Sequence, residues 1–232
     1  RLGVMDTEAA LAHHQRIAET IGADPSRLTG WEHHLEMSCD PDLALDTLAD
    51  LSQRSPQLVV GLLDDDDSAC RLVRLLGASS ELGRHLVAHP DDLAEIAHDP
   101  VRRSRDEIRN DLLEVVGAHE DGEFLVAERP TGPAADRLRL ANRRHLVRIA
   151  SRDVGADDPT EVVEDIAGEL ADLADAVVAA ALALTRADCP DHADARLAVV
   201  AMGKCGAQEL NYISDVDVVH VAEPAREDVS AA

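Results

Sequence analysis

Trp31, Phe124 and Tyr212 are the only Phe, Trp or Tyr residues that 232 residues offer for building an interior. No other feature constrains the fold as strongly. The chain is 45% apolar, enough for one large or two small domains with real cores. Those cores must be assembled from Ala, Leu, Val and Ile, which suit closely packed helices. A mainly α chain is expected, with strands only where β-branched residues alternate.

Periodicity and end signals place helices over residues 7–21 (with Leu11, Ile17 and Ile21 apolar), 42–52, 56–63, 79–88, 91–98 and 104–117. Pro56 stands near the start of its helix, where a missing N–H costs nothing. The run Asp64 to Asp67 reads as a solvated acidic lead-in to a helix from Ser68 to Leu76, because acids favour helix N-termini; a cation site is the competing reading. Gly122 to Pro133 holds two glycines and two prolines and is expected to be the main linker. It divides the chain into a helical region, 1–132, and a second part, 133–232. In the second part a helix from about Ala134 to Val154 carries Arg137, Arg139, Arg143, Arg144, Arg148 and Arg152. These arginines either meet a nucleotide, phosphate or acidic partner, or neutralise the chain's own acids. Pro159 opens a long helix to about Ala187, with Val177, Val178, Ala181, Leu182 and Leu184 expected on its packing face.

A formal net charge of −24 opposes binding to nucleic-acid phosphates, and no basic aromatic patch offsets it. Apolar runs fall far short of a membrane span, and the start carries no signal-peptide pattern. The four cysteines (Cys39, Cys70, Cys189, Cys205) have no C-x-x-C spacing, so reduced thiols and a cytoplasmic setting are expected. Cys189 with His192 lacks a second pair to complete a metal site. His13-His14 and His33-His34 are discounted as ligands because adjacent side chains on a helix diverge.

The chemistry concentrates in one stretch. An apolar run from Leu197 to Ala201 enters a Gly203-Lys204 turn, and residues 215 to 221 read Asp-Val-Asp-Val-Val-His-Val, a strand pattern. In a strand, Asp215 and Asp217 share a face with Cα atoms about 6.5 Å apart. Two carboxylates so placed suit Mg²⁺, a hard cation that completes its shell with water and substrate phosphates. Gly203 lets backbone approach a phosphate, Lys204 adds a point charge, Gly206 is a second flexible position, and Ser214 is placed to cap or hydrogen-bond beside the carboxylates. Glu209 and Asn211 are candidates for positioning or plain turn residues; Tyr212 reads as a packing aromatic with a tethered hydroxyl.

Met202, Gly203, Lys204, Gly206, Glu209, Leu210, Asn211, Tyr212, Ser214, Asp215 and Asp217 together resemble the signature G-M-G-K-x-G-x-x-E-L-N-Y-x-S-D-x-D of the glutamine synthetase adenylyltransferases, also called adenylyl-removing enzymes. Ala201 stands where glycine is usual, Ala207 where a second glycine is common, and Cys205 where leucine is frequent. Leu76 to Leu82 with His89-Pro90, and Arg137 to Asp153, resemble two further helical segments of that family, so the likeness spans roughly 70 to 221. It implies the first strands of an α+β, polymerase-β-like nucleotidyltransferase palm in residues 133–232, with Asp215 and Asp217 holding Mg²⁺. The wording E-L-N-Y-x-S-D resembles the family's adenylyl-removing module, which implies phosphorolysis. Phosphate attacks the AMP–tyrosine bond of adenylylated glutamine synthetase and releases ADP. The alternatives are the adenylyl-adding direction using ATP, a related transferase acting on a small molecule, and a non-catalytic helical module that docks on glutamine synthetase or a PII-type signal protein. The sequence begins at Arg1 rather than methionine and runs only 15 residues past Asp217. On that reading it is a piece of a longer chain, without the family's later strands and third carboxylate and catalytically incomplete alone, and Glu223 to Ala232 is a loop or frayed tail.

Overall fold

A computed structural model describes residues 3–22, 31–97 and 100–225. The chain forms two compact units, Arg1–Val101 with Leu146–Thr160, and Arg102–His145 with Glu161–Ala232. Two of the divisions between them fall within long helices, Thr131–Gly155 and Pro159–Asp188, rather than at residue 132. Among the described residues no helix is long and apolar enough to cross a membrane.

The first unit is helical. Helix α1 spans Thr7–Ile21, a 3-10 turn Glu32–Met37, α2 Pro41–Arg54, α3 Pro56–Leu63, α4 Asp66–Ala78 and α5 Ser80–Ala88. A 3-10 turn at Pro90–Leu93 runs into the short α6, Ala94–Ala97, where one helix over 91–98 was expected; residue 98 lies outside the described residues. Local chemistry sets the boundaries. Asp6, Asp40, Asp65 and Ser79 each cap a helix by accepting from an orphan backbone N–H. The acidic run thus supplies the cap and first turn of α4, and hydrogen bonds from Ser68 hold the Asp65 carboxyl below its usual range.

Trp31, Ile17, Leu35, Leu48, Leu51, Leu72 and Leu76 are fully buried in the core of this unit. On α1 Ile17 and Ile21 are buried as expected, whereas Leu11 is 60% exposed and Ala10 is buried instead. Val147 and Ala150 join the same core. Small residues set how closely these helices pack. A Cβ on Gly77 would lie 1.8 Å from Ser38 Oγ and 2.8 Å from the Asp40 carbonyl.

The second unit contains α7 (Arg105–Val115), a hairpin of β1 (His119–Asp121) and β2 (Phe124–Val126), α8 (Thr131–Gly155, shared with the first unit), α9 (Pro159–Asp188), β3 (Ala195–Ala201), a single helical turn, α10 (Gly203–Gly206), and β4 (Val218–Pro224). Both sheets are antiparallel and two-stranded, β1 with β2 and β3 with β4. The stretch 122–133 is therefore not a linker: it holds the hairpin turn at Gly122 (φ +63°), strand β2 and the start of α8. Helix α9 buries Ala176, Ala180, Ala183, Leu184 and Ala187, while Ala181 is exposed and Val177, Val178 and Leu182 are half-buried. That alanine face admits backbone: the Ala127 N–H donates to the Ala183 carbonyl at 3.0 Å. The tail read from Glu223 onward begins as strand, since β4 continues to Pro224; residues 226–232 lie outside the described residues.

Gly77→Ala is expected to destabilise the chain. Overpacking costs about 1–3 kcal/mol, more than the ~1 kcal/mol of helix propensity that alanine returns. The urea midpoint should fall; a rise would mean that Ser38 and the Asp40 carbonyl yield freely.

Candidate functional site

The signature residues lie on the β3–β4 ribbon and its connection. β3 and β4 pair from Ala195↔Pro224 to Ala201↔Val218. The ladder continues one step further, because the Met202 N–H donates to the Asp217 carbonyl at 2.9 Å. The chain then turns through α10. Gly203 adopts φ +54°, a conformation open to glycine, and Gln208 adopts φ +61° at the exit. At Gly206 the constraint is space: a Cβ there would lie 2.5 Å from the Ala201 carbonyl oxygen. Cys205 and Leu210 are buried and anchor the turn from below. Burial pushes the Cys205 thiol up, with a smaller push from Asp175.

The return segment is organised by Asn211. Its Oδ1 accepts from Ser214 Oγ at 2.6 Å and from the Ile213 N–H at 3.3 Å. Lys204 Nζ donates to Ser214 Oγ at 3.4 Å. Asp217 Oδ2 lies 3.5 Å from where a Gly203 side chain would begin. The fold thus brings Gly203 beside Asp217 and Lys204 beside Ser214. Asp215 and Asp217 are both exposed and form no ion pair with another described residue. They precede the strand rather than opening it: β4 starts at Val218, so the strand reading of 215–217 is corrected. The pairing chemistry explains this, since Asp217 contributes its carbonyl to the ladder while residues 211–216 belong to the turn. Tyr212 is 44% exposed, not the packing aromatic expected.

The opposite side of the ribbon bounds a groove of about 570 Å³, lined by Arg105, Arg109, Asp175, Val199, Gln208 and Val218. Arg105 donates to Asp175 at 2.7 Å. No spacing in the sequence links α7 to this groove, so these residues were not anticipated. The hairpin steadies the entry to β3: Arg196 donates to both Glu123 oxygens at 3.0 and 3.1 Å.

Helix α8 answers the question its arginines raised. Arg137 donates to Glu128 and to the Val115 carbonyl, Arg139 to Asp136, Arg144 to Asp111 and Arg148 to the Val101 carbonyl. These arginines are engaged within the chain. The four cysteines are free thiols, and His192 Nδ1 contacts the Cys189 carbonyl at 3.0 Å, a turn contact. His33 and His34, discounted from sequence, converge with Asp66.

Asp215 and Asp217 offer exposed carboxylate oxygens, the hard ligand type that Mg²⁺ prefers. Among the described residues no third carboxylate, histidine or cysteine joins them.

Residues 69–232 match the family model described as glutamate-ammonia ligase adenylyltransferase. The chain is similar along its full length, at 77% identity, to a bifunctional glutamine synthetase adenylyltransferase/adenylyl-removing enzyme from Cutibacterium acnes, covering 24% of that protein. Proteins of the same description from Bifidobacterium longum subsp. infantis (37% identity, 99% of this chain, 22% of theirs) and Mycobacterium tuberculosis (36%, 96% and 22%) are also similar. The chain therefore spans about a quarter of the length of the curated relatives it matches. No solved structure matches it.

Gly206→Ala is expected to loosen the turn and uncover Cys205. With Cys39, Cys70 and Cys189 replaced by serine, labelling of the remaining thiol should accelerate at least several-fold, since local opening controls access to a buried group. Unchanged labelling would mean that the turn absorbs the methyl group.

Proposed function

Because the chain belongs to the glutamate-ammonia ligase adenylyltransferase family, we propose that residues 203–217 form the phosphate-handling edge of an adenylyl-removing module. In this reading β3 and β4 are the first strands of a polymerase-β-like palm, and the substrate is AMP-tyrosyl glutamine synthetase. The observation that carries it is the placement of the Asp217 carboxylate against the Gly203 turn, with Lys204 beside Ser214.

Each residue has a physical role there. The Gly203 turn presents backbone at close range to a phosphate. Lys204 offers a flexible ammonium point charge to the same group. Ser214, held by Asn211, keeps the lysine directed along the return segment. Asp215 and Asp217 would hold Mg²⁺, which when bound neutralises phosphate charge. In the reaction an oxygen of inorganic phosphate bonds to the AMP phosphorus, the bond from phosphorus to the tyrosine oxygen breaks, and the phenolic oxygen takes a proton. ADP and unmodified glutamine synthetase result. A PII-type signal protein is the proposed regulator.

The test places residues 1–232 in the full-length Cutibacterium acnes relative and measures ADP formation from adenylylated glutamine synthetase, phosphate and Mg²⁺. Asp215→Asn and Asp217→Asn should each reduce the rate at least about a hundredfold, the scale of groups aimed at transition-state charge. Loss of AMP transfer from ATP, with ADP formation intact, would assign this module to addition instead. If neither reaction changes while glutamine synthetase still binds, the segment is a docking module.

A further inference from the structure

We propose that His33, His34 and Asp66 form a binding site for one divalent transition ion of the zinc class. All three belong to the first compact unit. The two histidines sit in the 3-10 turn Glu32–Met37, and Asp66 opens α4. Neighbouring residues diverge in a 3-10 turn, and the two rings are brought to 3.7 Å between centroids, tilted by 43°, by the side chains folding toward one another. Both Nε2 atoms then reach the same oxygen: Asp66 Oδ1 lies 3.0 Å from His34 and 3.7 Å from His33. Ligand atoms of all three residues lie within 4.8 Å of one another, and among the described residues no other such group of three occurs.

The spacing suits a metal. Bonds of 2.0–2.1 Å arranged tetrahedrally separate neighbouring ligand atoms by about 3.3 Å. The two separations at Asp66 bracket that value. Two imidazoles and one carboxylate select zinc, nickel or copper over magnesium or calcium, which take all-oxygen shells. The side chain of His34 is 6% exposed, whereas those of His33 and Asp66 are 58% and 73% exposed. One ligand is anchored in the core and two face water, which gives an ion a path in and leaves a position for a water molecule. Asp65 and Asp67 flank Asp66 in sequence and add negative charge. Arg74, two turns further along α4, opposes them, but its Nη1 donates to the Val154 carbonyl at 3.0 Å. An ion held here would tie the 3-10 turn to the start of α4 and so stabilise the helical unit.

The test is titration of the full 232-residue chain with Zn²⁺, followed by calorimetry and thermal unfolding, and with Co²⁺, followed by visible absorption. Excess Mg²⁺ is present throughout to occupy the Asp215–Asp217 carboxylates. One tight equivalent of Zn²⁺ and a rise in Tm are expected. His33→Asn and Asp66→Asn, both at exposed positions, should weaken binding at least tenfold and abolish the Tm rise. His119→Asn, at an exposed histidine elsewhere, should change neither. Zn²⁺ binding that is absent in the wild type, or equal in all variants, would overturn the proposal. So would a thiolate-to-cobalt charge-transfer band, which would place the ion on cysteine.

Discussion

One backbone hydrogen bond, from the Met202 N–H to the Asp217 carbonyl, sets the geometry on which the candidate site depends. It extends the β3–β4 ladder one step beyond the last strand residues. The intervening 14 residues are thereby closed into a loop, with the start of the glycine turn and the carboxylate pair at its neck. Gly206 packs the turn closely against the end of β3, since a Cβ there would lie 2.5 Å from the Ala201 carbonyl oxygen. Cys205 and Leu210 add burial beneath it. The exposed, charged side chains thus rest on a backbone frame fixed by hydrogen bonding and close packing, and they are not needed to hold it together.

The helical unit uses the same device for a different end. With Trp31 as the only aromatic in its core, stability there comes from many aliphatic contacts at short range. Gly77 allows the Ser38–Asp40 backbone to approach α4, and Gly83 brings α5 against Thr47 of α2. Such packing leaves little room for adjustment. It also explains why the Glu32–Met37 turn, pinned by buried Trp31 and Leu35, can hold two histidine rings in one place.

The helices could be read from the sequence because their signals are local. Asp40-Pro41, Ser55-Pro56 and Ser104 with Glu107 each mark an N-terminus through capping or through proline's missing donor. What could not be read was long-range. Gly122 and Pro130 suggested a linker, yet a few residues at Phe124–Val126 pair with His119–Asp121, and that pairing is a property of the hairpin and its packing. Asp-Val-Asp alternates like a strand, but the demand of the turn organised by Asn211 holds Asp215 and Val216 out of the ladder. The histidine pair was dismissed on local helical spacing, whereas its convergence is made at Asp66, 32 residues away from His34 in sequence. Of the site itself, the residue types and their order were visible; the contacts of Gly203 with Asp217 and of Lys204 with Ser214 required the fold.

Lys204 is the single lysine in the chain; the other 21 of its 22 Lys and Arg residues are arginines. The distinction is physical. An arginine carries a rigid donor fork that suits carboxylates and carbonyls, and the α8 arginines are used that way, within the chain. Lysine carries a compact charge on a flexible stem and follows a ligand as it moves. In a protein of net charge −24, a lone ammonium would be expected to settle into an ion pair. Lys204 instead donates to the Ser214 hydroxyl, and among the described residues no carboxylate lies within ion-pair distance of it. Its charge stays available at Ser214, the residue that precedes the exposed pair Asp215 and Asp217 in sequence. That is the electrostatic condition a phosphate-and-cation ligand would complete, and it arises at the one place in the chain where the sequence departs from arginine.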